Sequence, residues 1–221
     1  MLTQTQLDKL AAMQDELNQM VCVSAGFKGS WKEQDWDFGL AIIDECMELH
    51  GHLGWKWWKD SSLYHAGVTP ANKKQVQLEV IDILHFGLSM LIKEDAVYNA
   101  AYWDSHFNDT IQYRIRNLMQ DAIAYFFNLP DWEALATHVD LTADDVMEVY
   151  TGKYALNKFR QDNGYADGTY KKNWLIPEFS AKFEEDNWYL ERSIKQLKDA
   201  GQEVTAERIT LHLDSYYSLM E

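Results

Sequence analysis

The chain has 221 residues, of which 47% are apolar and 14% aromatic, too much core material for a disordered protein. Its 20 basic and 35 acidic residues leave a net charge of −15, which argues against duplex DNA or RNA as a partner, because such a face must be positive. Three Pro and eleven Gly are too few for a turn-rich sandwich or barrel, so the expected class is soluble and all-α, a helical bundle with little or no sheet.

Leu7, Leu10, Met13, Leu17 and Met20 recur every three or four residues and predict a first amphipathic helix, broken by Gly26 and Gly29. A second helix is predicted over about Trp36–His52, with Phe38, Ile42, Cys46 and Leu49 on one stripe and Gly51 and Gly54 closing it. After a loop over 60–72, a third helix runs from about Lys73 to Glu94 and carries Val76, Val80, Ile83, Leu84 and Leu88. The helical pattern continues from Ala96 to Phe127, with a break around Asp104–Thr110, and Pro130 sets off a short helix at Trp132–His138. Thr142, followed by Asp144 and Asp145, starts a further helix that ends near Gly164. Two last helices are expected over about Pro177–Ala200 and Thr205–Leu219. The chain reads as a single domain, with a four-helix core over about 1–127 and added helices over about 128–221.

Cys22 and Cys46 cannot form a disulfide framework, and Cys46 on a helical stripe reads as a small core residue. Met1–Leu10 has no apolar stretch of signal-peptide type, and no run reaches about 18 apolar residues. The expected location is therefore cytoplasmic, away from membranes.

Two carboxylate doublets are the most informative feature. Glu45 and Glu48 are three residues apart on the second helix, and Glu79 and Asp82 three apart on the third, so each pair shares a helical face. Antiparallel packing of the two helices would bring four like charges together, which is tolerable only around a cation. Oxygen ligands in that number suit Mg²⁺ or Mn²⁺. The plainer alternative is a pair of solvated helix faces, although apolar residues flank both doublets. Asp82 and His85 match one half of the carboxylate–histidine pattern of di-iron bundles, but Glu45 has Glu48 at the third position rather than a histidine. His50 and His52, near a helix end, read as polar surface residues.

Two further clusters suit nucleotide contacts. Trp55, Lys56, Trp57, Trp58 and Lys59 interleave rings that can stack with cations that can meet phosphate, unless the rings are simply core. Lys153, Asn157 and Arg160 share a helical face within a cationic stretch that runs to Lys172. Sequence motifs for phosphate loops, dinucleotide folds and serine hydrolases are absent.

With these residues in view, the chain resembles the dimeric dUTPase family, among the all-α NTP pyrophosphatases that also include MazG-type enzymes. The resemblance rests on Met13–Asn18, Asp44–Leu49, the WKWWK run of Trp55–Lys59, Glu79–Phe86, the KYALNKFRQDNGY segment of Lys153–Tyr165, and Glu185–Asn187, in that order. It implies Mg²⁺-dependent hydrolysis of dUTP to dUMP and pyrophosphate, which keeps uracil out of DNA, and it implies a homodimer. By resemblance, Glu45, Glu48, Glu79 and Asp82 hold two or three Mg²⁺ ions, with Mn²⁺ able to substitute. Gln14, Asn18, Trp58 and His85 would line the nucleoside pocket. Lys59, Lys153, Asn157, Arg160, Tyr165 and Lys171 would meet phosphate and sugar. Glu48, with Glu45 beside it, is expected to orient or deprotonate the attacking water. Gln14 and Asn18 lie four apart on one helix, and amides can present donor or acceptor, so uracil and cytosine both fit the pattern. A dCTP or broader NTP pyrophosphatase would look alike, dUDP is a further candidate substrate, and a non-enzymatic helical interaction module is the remote alternative.

Overall fold

The computed structural model describes residues 2–59, 67–96, 110–176, 179 and 182–220. Eight α-helices and one two-stranded antiparallel hairpin are found among them, so the fold is all-α. The chain divides into two compact units, one of Met1–Ala12 and Asp35–Val146, the other of Met13–Gln34 and Met147–Glu221.

In the first unit, α2 (Phe38–His52) packs on α3 (Lys73–Lys93) and α4 (Ile111–Ile123), and α5 (Leu129–His138) on α3 and α4. The stripe expected on α2 is buried, as Phe38, Ile42, Cys46 and Leu49, and so is the α3 stripe of Val76, Val80, Ile83, Leu84 and Leu88. Helix α2 begins two residues later than its apolar pattern suggests. The Asp37 carboxylate accepts from the Leu40 amide at 2.9 Å and caps the helix there. Helix α5 begins earlier than expected, because Asn128 accepts from the Asp131 amide and Pro130 sits in the first turn, where a missing N–H costs nothing. Trp132, fully buried, donates its indole N–H to Val80 O at 2.7 Å and ties α5 to α3. Helix α3 has the length and hydropathy of a membrane span, but 72% of that window is buried inside the protein, as suits a core helix. The helical stretch expected between Ala96 and Thr110 falls largely on residues 97–109, outside the described residues.

The second unit takes residues from Met13 onward of α1 (Gln4–Ser24) and from Met147 onward of α6 (Ala143–Asp162). Strands β1 (Asn173–Leu175) and β2 (Phe183–Glu185) then pair with Trp174 opposite Glu184, followed by α7 (Asp186–Asp199) and α8 (Ala206–Tyr217). Phe159, Trp174, Tyr189, Leu190, Ile209 and Leu213 form its buried centre. The helix expected from Pro177 to Ala200 is thus corrected: it begins at Asp186, and Phe183–Glu185 is strand. The Ile176 amide donates to Lys182 O at 2.8 Å and extends the hairpin ladder, which strands of three residues are too short to announce by alternation.

Candidate active site

Packing of α2 on α3 brings the doublets together. Carboxylate oxygens of Glu45, Glu48 and Glu79 lie within 4.8 Å of one another, a spread that one hard divalent cation, or a close pair, spans. Glu79 is buried, Glu45 half-buried and Glu48 exposed, so the group is anchored at one side and open at the other. Asp82, half-buried one turn further along α3, lies outside this group of three. The donor set is all oxygen, which fits Mg²⁺ or Mn²⁺. Three carboxylates this close repel one another, and a cation offsets that repulsion.

Cys46 lies beside this cluster in sequence but has no part in its chemistry. Burial, and secondarily the Glu45 charge, push its thiol up to about 12, so it stays protonated and packs as a small apolar group. Of the two histidines expected at the surface, one is buried. His50 is buried, and burial followed by the Arg116 charge holds its imidazole below its ordinary value. His52 is half-buried, with Nε2 3.2 Å from Glu79 Oε1.

Trp58 stands edge-on to Trp55 with ring centres 5.1 Å apart, and to Trp57 at 5.6 Å. It lines a cavity of about 400 Å³ with Met47, His50, Trp55 and Arg116. At about 100° per residue, Met47 and His50 fall on the side of α2 opposite Glu45 and Glu48. Trp57 and Trp58 are exposed, so neither is core. His85 is buried on α3 and does not line that cavity. Lys59 is exposed in the turn closed by its amide on Lys56 O at 2.9 Å.

The second unit holds the remaining expected residues. Gln14 and Asn18 are buried, and Gln14 Nε2 donates to Asn18 Oδ1 at 2.8 Å. The Tyr150 hydroxyl donates to Gln14 Oε1 at 2.6 Å. On α6, Lys153 is buried and donates to Asn187 Oδ1 at 3.4 Å. The Arg160 guanidinium forks onto buried Asp186, through Nε and Nη2 at 2.8 Å each, and its Nη1 reaches Asn157 Oδ1 at 3.0 Å. Three of the five guanidinium donors are thereby engaged among the described residues. Tyr165 is exposed, with Arg160 and Lys172 each 5.9 Å from its ring centre. Lys171 is exposed just before β1. Tyr150, Asp186, Asn187 and His52 are partners to which the sequence reading gave no role, although Tyr150 lies three residues before Lys153, His52 four after Glu48, and Asp186 and Asn187 within the Glu185–Asn187 segment of the resemblance.

The structure is thus an all-α fold in which acidic side chains from two packed helices meet at one point, with an oxygen donor set of the kind that suits a divalent cation. A family model described as dUTPase matches residues 6–165, well over half of the chain and a span that includes both doublets. The chain therefore belongs to the all-α dUTPase family and is a nucleotide pyrophosphatase. No curated protein matches it.

Proposed function

We propose that this protein hydrolyses dUTP to dUMP and pyrophosphate in a Mg²⁺-dependent reaction, with Glu45, Glu48, Glu79 and Asp82 as the metal-holding residues. The observation that carries the reading is the meeting of Glu45, Glu48 and Glu79 within 4.8 Å, inside the stretch matched by the family. Bound Mg²⁺ would offset the charge of the triphosphate and polarise the attacked phosphorus. Glu48, the exposed member of the group, orients the attacking water and takes its proton. Lys153 and Arg160 stabilise charge that develops on phosphate oxygens, and Lys59, Asn157, Tyr165 and Lys171 hold phosphate and sugar. Gln14 and Asn18, with Trp58 and His85, bind the nucleoside. A homodimer is part of this reading, on the family resemblance.

The test is pyrophosphate release from a panel of dNTPs and NTPs, with Mg²⁺ and with EDTA. EDTA-sensitive preference for dUTP is expected. Glu48→Gln should lower kcat by at least about a hundredfold while leaving the thermal melt unchanged. A wild-type rate in that variant would remove Glu48 from the chemistry. A broad or dCTP-centred profile would keep the metal reading and overturn the assignment of the base.

A further inference from the structure

His52 is absent from the carboxylate doublets, yet it is built into the same corner. Taken at about 100° per residue, positions 45, 48 and 52 fall within an arc of about 60° on α2. Its Nε2 stands 3.2 Å from Oε1 of the buried Glu79, and a carboxylate can only accept, so the imidazole is the donor. The backbone there is held as well. His52 O accepts from Asn72 Nδ2 at 2.9 Å, the same nitrogen donates to Gly67 O at 2.9 Å, and Asn72 Oδ1 accepts from the Thr69 amide at 2.6 Å. The residue that ends α2 is therefore fastened to the turn that opens α3, and its ring reaches along α3 to Glu79.

We propose that His52 is a positioning residue for the metal site: its Nε2–H, on Oε1 of Glu79, holds that carboxylate where it meets Glu45 and Glu48, the three residues that would hold the ion. This rests on the metal reading of those carboxylates. Removing that hydrogen bond takes away one restraint on the Glu79 carboxylate, and ordering it for metal binding would then cost affinity. Donors to metal-ligating groups typically change metal affinity 10- to 100-fold when removed.

The experiment is Mn²⁺ binding to the whole protein without nucleotide, followed by electron paramagnetic resonance and calorimetry. His52→Ala should weaken Mn²⁺ binding by about 10- to 100-fold. His52→Gln places an amide N–H near the position of Nε2 and should restore affinity to within a few-fold of wild type. Thermal melts of the metal-free variants check that each is folded. Affinity in His52→Ala equal to wild type overturns the proposal, and so does His52→Gln binding as weakly as His52→Ala. Failure of the wild-type protein itself to bind Mn²⁺ would instead overturn the metal reading on which the proposal stands.

Discussion

The Tyr150 hydroxyl donates to Gln14 Oε1 at 2.6 Å, and both residues are buried. Gln14 thus presents its oxygen to Tyr150 and its Nε2 to Asn18, and that is the sense of the amide pair in this structure. Under the proposed function this sense is what separates uracil from cytosine. Tyr150→Phe removes the donor and leaves the ring in place, at a cost of about 1 kcal/mol or somewhat more. The ratio of kcat/KM for dUTP over dCTP should fall roughly fivefold, equivalent to about 1 kcal/mol. An unchanged ratio would show that the orientation of Gln14 does not read the base.

Asp186 holds Arg160 through two 2.8 Å contacts and accepts from the Tyr170 hydroxyl at 2.8 Å. Burial, then the Asp186 charge, push the Tyr170 hydroxyl well above its ordinary value, so it stays a donor. Asp186 itself is 1% exposed, and taking the charge from one member of a buried pair strands the other. Asp186→Asn should cost about 3–5 kcal/mol in urea unfolding. Replacing Asp186 and Arg160 together by Leu and Met should cost markedly less than Asp186→Asn. A double variant as unstable as the single one would mean that the loss comes from packing.

How far the sequence carried depends on the range of each interaction. Glu45, Glu48 and Glu79 were legible because a period of three on two adjacent apolar helices fixes their faces. The α2 and α3 stripes were legible for the same reason. His52 was not, because a histidine near a helix end looks like surface until Glu79, 27 positions away, is known to face it. Asp186 was hidden similarly: it meets Arg160 across 26 positions, and the hairpin that delivers it has strands too short for a pattern. Local periodicity reports which face a residue occupies, while its partner is decided by packing.

Glu133 gives a pH dependence. Burial raises its carboxyl above the ordinary value near 4.5, opposed by the Leu2 amide, which donates to Oε1 at 3.3 Å. A raised folded value means that the folded state binds more protons than the unfolded state between the two values. Stability therefore falls as pH rises from the unfolded value through the folded one, and the cost persists at neutral pH. Glu133→Gln keeps an acceptor for Leu2 without the charge. It should be more stable than wild type in urea at pH 7.5, with the advantage gone below about pH 4, where both states of the wild-type carboxyl are protonated. An advantage that is the same at both pH values would assign the gain to something other than ionisation.

Gly87 lies on α3 two turns beyond Glu79, and a Cβ built there would overlap the ring of buried Phe127. In an open helix, Gly→Ala stabilises by about 1 kcal/mol, because alanine loses less backbone freedom on folding. Here the sign should reverse. Overpacking costs about 1–3 kcal/mol, so Gly87→Ala should unfold at lower urea, and any shift of α3 to relieve the overlap would carry Glu79 with it. Phe127→Leu opens the space, and the double variant should recover most of the loss beyond that of Phe127→Leu alone, a coupling that a double-mutant cycle measures directly. Simple additivity of the two losses would mean that Phe127 does not set the approach at Gly87.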